Sequence, residues 1–234
     1  MADTNPYVEI FKAVSCLDIS ISEKLSRHFE MVKKINPDLA AAYEEMVATW
    51  ARAGTGTKTL NPGDKFPDFL LPNEEGSLVS LGSLVENGPL VVSFNRGHWC
   101  PYCRHELLDF KKNFPAIQKM GADLVSIMPD RTFFTRPYIE TLDLPFQILS
   151  DIDQALVLEA GLLAPIGPRV QKLYSDVLGY DLPTYQDVKG WNVPVPATFV
   201  LDNQGAIYSA FSDPDFRKRL PIEKILADLK KMKN

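Results

Sequence analysis

The sequence predicts a mixed α/β fold, a central sheet flanked by helices on both faces, preceded by an N-terminal helical extension. Three observations predict it. Residues 90–94, 122–127 and 198–201 are short, nearly continuous apolar runs, as strands buried on both faces require. Between them apolar residues recur at helical spacing. Ahead of them the chain carries only helical signals, closed by a glycine–threonine stretch.

The extension reads as three helices. Asn5-Pro6 supplies a cap followed by proline at the first helical position, and Tyr7, Ile10, Phe11 and Val14 share a face. Ser22 is the expected cap of the second helix, whose stripe is Leu25, Phe29 and Val32. Asn36-Pro37 repeats the start signal for a third, with Leu39, Tyr43, Met46, Val47 and Trp50 along it. Ala53-Gly54-Thr55-Gly56-Thr57 ends that helix as a linker, dividing the chain into an extension, 1–56, and a main domain, 57–234. In the main domain the strand at 90–94 leads into a helix marked by Leu107, Phe110, Phe114 and Ile117, with a kink expected at Pro115. A strand follows at 122–127, a weaker one at 146–149, and helices at 152–161 and 166–177. Residues 198–201 and 206–211 form a hairpin around Asp202-Asn203-Gln204-Gly205, and Ile222, Ile225, Leu226 and Leu229 mark a closing helix.

The 234 residues are 45% hydrophobic and 24% charged, enough to bury a sizeable core. A formal net charge of −5 argues against nucleic acid or an anionic membrane as a partner. No stretch reaches the roughly 18 apolar residues of a membrane span. The start, Met1-Ala2-Asp3-Thr4-Asn5-Pro6, has neither a basic flank nor an apolar run, so no secretory signal is expected. Cys16, Cys100 and Cys103 are the only cysteines, too few for a secreted disulfide scaffold. The expected setting is therefore reducing and cytoplasmic, where a close cysteine pair is catalytic or metal-binding. No flavin, haem or nucleotide cofactor is expected, since no glycine loop has phosphate-cradling spacing.

The chemistry concentrates in Phe94-Asn95-Arg96-Gly97-His98-Trp99-Cys100-Pro101-Tyr102-Cys103-Arg104-His105-Glu106-Leu107, between a buried strand and an amphipathic helix. The first-turn amides of a helix lack helical partners and its N-terminal end is positive, so a thiolate is favoured there over a thiol. Pro101 suits the first turn, where its missing N–H costs nothing. Two cysteines three apart in one turn can close a disulfide with little chain movement. His98, Cys100, Cys103 and His105 also offer ligand types, but one helix start can hardly close a zinc tetrahedron, so no metal is expected.

Trp99-Cys100-Pro101-Tyr102-Cys103 resembles the active site of thioredoxin-fold proteins. From about residue 62 onward the chain resembles the peroxiredoxin (AhpC/TSA) family, in the branch carrying Cys-x-x-Cys. The matching pieces are Pro62-Gly63-Asp64-Lys65-Phe66-Pro67-Asp68-Phe69, Glu75-Gly76-Ser77-Leu78-Val79-Ser80-Leu81, Val91-Val92-Ser93-Phe94 and Ala197-Thr198-Phe199-Val200-Leu201-Asp202-Asn203-Gln204-Gly205. The resemblance implies a thioredoxin-like fold. Laid on the family's Pro-x-x-x-Thr-x-x-Cys, the peroxide-attacking cysteine falls on Cys103, the threonine on Cys100 and the proline on Arg96. Glu106 matches the family's glutamate three residues later. The family's distant arginine falls on Pro196, a proline placed like the cis-proline that faces the cysteines in thioredoxins. The site is thus a hybrid, and Arg96, Arg104, Arg131 and Arg136 are the candidates to replace the missing arginine.

The resemblance implies an antioxidant thiol peroxidase. Cys103 attacks hydrogen peroxide or a small alkyl hydroperoxide, Cys100 closes the disulfide, and thioredoxin or another dithiol reductant restores the pair. The alternative is a thioredoxin-like thiol–disulfide oxidoreductase in which Cys100, the more exposed of the two, attacks. A third reading is a non-enzymatic binding protein with vestigial cysteines. A protonated histidine at His98 or His105 would lower the thiol pKa, although His105 reads as half-exposed and without a role. Trp99 is either a wall shielding the pair or plain core. Glu106 is either a hydrogen-bonding or proton-relay group of the site or a first-turn carboxylate complementing the dipole. Cys16, between Val14 and Leu17, reads as a small buried apolar residue. Some apolar residues of 7–50 are candidates for a homodimer interface.

Overall fold

Three helices open the chain: α1 (Pro6–Ser15), α2 (Ile21–Ile35) and α3 (Pro37–Ala53). A small hairpin of β1 (Leu70–Pro72) and β2 (Leu78–Ser80) and a short helix α4 (Leu81–Val85) lead into β3 (Leu90–Phe94) and the long α5 (Pro101–Lys119). Then come β4 (Asp123–Met128), α6 (Thr132–Leu142), β5 (Ile148–Ser150) and α7 (Ala155–Glu159). They are followed by β6 (Leu163–Pro165), α8 (Pro168–Leu173), which widens into a π-helical turn Tyr174–Leu178, and α9 (Leu182–Gln186). The chain closes with β7 (Asn192–Pro194), β8 (Ala197–Leu201), β9 (Ile207–Ser212) and α10 (Ile222–Met232). The structure is a computed structural model and describes residues 5–233. Met1 to Thr4, read above for a secretory signal, lie outside the described residues.

The main sheet has the order β5-β4-β3-β8-β9. β3, β4 and β5 run parallel, and β8 and β9 are antiparallel additions. Every residue of β3 and β8 is buried, which explains why both strands read as unbroken apolar runs. Successive side chains point to opposite faces. Val91 and Val200 join Leu107, Phe110 and Ile225 on one face. Val92, Phe94 and Phe199 join the other, where the extension packs.

The extension shares that second core. Leu25, Phe29 and Val32 of α2, and Leu39, Tyr43, Met46 and Trp50 of α3, are buried in one cluster with the sheet. Trp50 Nε1 donates to the Pro165 carbonyl at 2.9 Å, tying α3 to β6. Asn5 and Asn36 cap α1 and α3 as expected, each followed by proline. The cap of α2 is Ser20, not Ser22. Its hydroxyl accepts from the Glu23 amide at 3.3 Å while the Glu23 carboxylate accepts from the Ser20 amide at 3.1 Å. Ser22 lacks an acidic residue three positions on, so it cannot form this reciprocal pair. Cys16 is exposed rather than buried, because it caps the end of α1 two residues past the inward-facing Val14. α5 continues through Pro115 as one helix. Among the described residues no helix is long and apolar enough to cross a membrane.

Candidate active site

The strand-to-helix turn is built by backbone geometry. The Asn95 amide donates to the Ile127 carbonyl at 2.9 Å and carries the β3–β4 ladder one residue past β3. Gly97 then turns the chain at φ +143°, and a Cβ there would lie 2.4 Å from Trp99 Nε1 and 2.8 Å from Asp130 Oδ2. Only glycine fits such a position. Cys100 is the N-cap of α5, and its carbonyl accepts from the Arg104 amide at 3.0 Å. Pro101 takes the first helical position and Cys103 the third, so both sulfurs sit among the unpaired amides of the helix start.

Both cysteines are covered, Cys100 at 1% and Cys103 at 0% exposure, so neither sulfur is open to solvent. The cause is a shell of aromatic rings around the turn. Trp99 stands 5.3 Å from Tyr174 and 5.2 Å from Tyr180, and Tyr102 is 5.2 Å from Phe216.

Two arginines enter this shell. The Cys103 Sγ accepts from the Arg96 amide at 3.3 Å and from Arg219 Nη2 at 3.5 Å. Arg219 is buried, and its Nε lies 2.8 Å from Glu106 Oε2, close but poorly angled for a hydrogen bond. Glu106 is therefore a buried ionic partner of Arg219 and lies beyond the first turn of α5. Burial raises its pKa, and Arg219 opposes that rise. The Arg96 side chain is fully buried. It donates to the Tyr174 hydroxyl at 3.0 Å, and its guanidinium lies 4.2 Å from the Phe216 ring centre and 5.2 Å from that of Trp99. Burial pushes both thiols up. Cys100 nonetheless falls to about 6, because the Cys103 thiol donates to it and Arg96, the Cys103 amide and Arg219 favour its charge. Cys103 is held well above its ordinary value by burial and by the neighbouring Cys100. The two sulfurs thus titrate as a pair carrying one negative charge.

Arg219 is the candidate site residue that sequence reasoning missed. Of the candidates named to replace the absent arginine, only Arg96 reaches the sulfurs. Arg104 lies over the Phe11 ring, Arg131 near Asp187, and Arg136 beside Glu140. Pro196 is not cis, since no peptide bond among the described residues is. The Val195 amide donates to the Leu162 carbonyl at 2.7 Å, which keeps the chain extended from β7 straight into β8.

His98 is bound by Asp130, which accepts from its amide at 2.6 Å and meets its Nδ1 at 2.8 Å. Its ring stacks on Phe134 at 5.2 Å. A cleft of about 920 Å³, lined by His98, Arg104, Phe133, Phe134 and Tyr138, opens beside α5. His105 is buried rather than half-exposed, because the extension covers it. Its Nε2 lies 3.1 Å from His28 Nδ1 of α2. Burial, then His28, Lys24 and Arg104, lower its pKa to about 3, so it is neutral at neutral pH and supplies no charge to the thiols.

The model of the AhpC/TSA family matches residues 62–210, well over half of the chain. A Mycobacterium tuberculosis protein with a provisional peroxiredoxin name is 29% identical over 156 residues, covering 67% of this chain and 87% of its own. The chloroplastic peroxiredoxin Q of Sedum lineare is 26% identical over 171 residues, covering 73% of this chain and 78% of its own. Among solved structures, peroxidoxin BcpB of M. tuberculosis superposes with a TM-score of 0.58 at 21% identity, over 74% of this chain and 98% of that one. That likeness shows the fold, a mixed sheet of the thioredoxin-like kind.

Proposed function

The chain belongs to the AhpC/TSA family, and from that premise we propose that it is a thiol-dependent antioxidant peroxidase acting through Cys100 and Cys103. Hydrogen peroxide and small alkyl hydroperoxides are the substrate class. The observation that supports this best is the convergence of Arg219 Nη2 and the Arg96 amide on the Cys103 sulfur, with Glu106 balancing Arg219.

In this reading the Cys103 proton passes to Cys100, and the Cys103 thiolate attacks one peroxide oxygen. The O–O bond breaks, the sulfur becomes a sulfenic acid, and the other oxygen leaves as alkoxide or hydroxide, which takes a proton from solvent to become alcohol or water. The two arginines stabilise charge on the sulfur and on the leaving oxygen. Cys100 then attacks the sulfenic sulfur, the disulfide forms and water departs. An external dithiol, thioredoxin-like or otherwise, reduces the disulfide by exchange, which suits a reducing, cytoplasmic setting.

A second reading, disulfide exchange started by Cys100, is favoured by the lowered Cys100 pKa of about 6. The covered position of both sulfurs weighs against it, because a small oxidant reaches them more readily than a disulfide in a folded partner.

The test is to mix reduced protein with peroxide and follow Trp99 fluorescence in wild type, Cys100→Ser and Cys103→Ser, with a sulfenic acid trap. The peroxidase reading expects sulfenic acid on Cys103 in Cys100→Ser, formed far faster than on a free thiol. Slow oxidation, with a mixed disulfide accumulating through Cys100 in Cys103→Ser, would replace it with the exchange reading.

A further inference from the structure

The helical extension lies outside the 62–210 segment matched by the family, yet one of its side chains reaches the site. Tyr43, on α3, is buried. Its ring stands edge-on to Tyr174, with centres 6.1 Å apart, and to Phe216, 5.2 Å away. These are the two rings that hold Arg96, one through its hydroxyl at 3.0 Å and the other through its face at 4.2 Å. Trp50, two turns along α3, packs on Phe216 at 6.5 Å and anchors the helix through Pro165.

Arg96 needs such bracing. Its charged neighbours are the two cysteines, not a carboxylate, and its Nε has no hydrogen-bond partner. Among the described residues, a guanidinium so placed is oriented by Tyr174, by ring faces and by the sulfurs themselves. In a poorly screened interior, small shifts of those rings change its interaction with a thiolate steeply.

We infer that Tyr43 is a positioning residue for the thiol chemistry: bracing Tyr174 and Phe216 from the extension, it keeps the Arg96 guanidinium where it favours a negative sulfur. This rests on the proposed role of the cysteine pair, but its readout is thiol ionisation rather than turnover. The reduced full-length chain is titrated by the ultraviolet absorbance of the thiolate in wild type, Tyr43→Leu, Tyr43→Phe and Met46→Ala. Met46 is buried on the same helix but lines a groove that includes neither Tyr174 nor Phe216. Tyr43→Leu raises the midpoint by about one pH unit, roughly a tenfold loss of thiolate on the acid side. Tyr43→Phe, which loses only the hydroxyl, raises it less. Met46→Ala lowers the melting temperature and leaves the midpoint at the wild-type value. A Tyr43→Leu midpoint equal to that of Met46→Ala overturns the inference. Peroxide consumption is measured separately. A protein that titrates as expected yet consumes no peroxide refutes the proposed function and leaves the role of Tyr43 standing.

Discussion

Arg219 shows how much one side chain does in this site. It donates to the Phe216 and Lys218 carbonyls, reaches the Cys103 sulfur and neutralises Glu106. Arg219→Met leaves the Glu106 carboxylate buried without a cation, a change that costs about 3–5 kcal/mol. Urea unfolding at neutral pH measures it, and the double variant with Glu106→Leu recovers most of the loss. Reactivity follows the ionised sulfur. The pair gains its single negative charge as Cys100 ionises at about 6, and that charge passes to Cys103 by proton exchange, so the rate with peroxide rises as pH passes through that value and then levels off. In Arg96→Met the rise moves to higher pH, because a positive neighbour of the thiolate is gone; rapid-mixing kinetics across pH read this directly. The cysteine pair was legible from its spacing at one helix start, and Arg96 and Glu106 became candidates through the family resemblance of that stretch. Arg219 was not, since it lies 116 residues from Cys103 on an irregular segment where no periodicity marks it.

At the scale of elements, the seam between α2 and α5 carries a buried histidine pair. Burial lowers His28 to about 4, and His105 falls to about 3. Both lie below the unfolded value of about 6.5. The unfolded chain therefore binds these protons first. The stability that the neutral pair contributes is complete above about pH 6.5 and is lost as pH falls through 6.5 toward 4 and 3. Lys24 and Arg104 face the same seam and add to the cost of protonating His105. Denaturant unfolding across this range should show a loss of up to about 1.4 kcal/mol per pH unit for each histidine, and His28→Leu/His105→Leu should flatten it. Elements with a long apolar signal, such as β3, β4, β8 and α5, were readable in the sequence. β1, β6 and β7 were not, because each has three residues and ends in proline. α6 escaped because Pro137 interrupts it and no side chain caps its start.

For the whole molecule, the extension and one face of the sheet share a single hydrophobic cluster. Unfolding should therefore be one cooperative event, with far-ultraviolet circular dichroism and tryptophan fluorescence giving coincident transitions. An early transition in either probe would instead make the extension a separate unit. The end of α3 was legible because Gly54 takes a left-handed conformation at φ +68° that stops the helix. That the segments on either side share a core was not, since it depends on contacts distant in sequence. The Arg96 guanidinium, sealed among rings, sets one more property of the molecule. Joining sulfur to sulfur removes the thiolate that faces it, so the oxidised protein carries a less balanced cation in its interior. The disulfide form should accordingly melt at a lower temperature than the dithiol form at neutral pH, and Arg96→Met should shrink that gap. Catalysis would then begin each cycle from its more comfortable state, with the electrostatics of the interior pulling the protein back toward it.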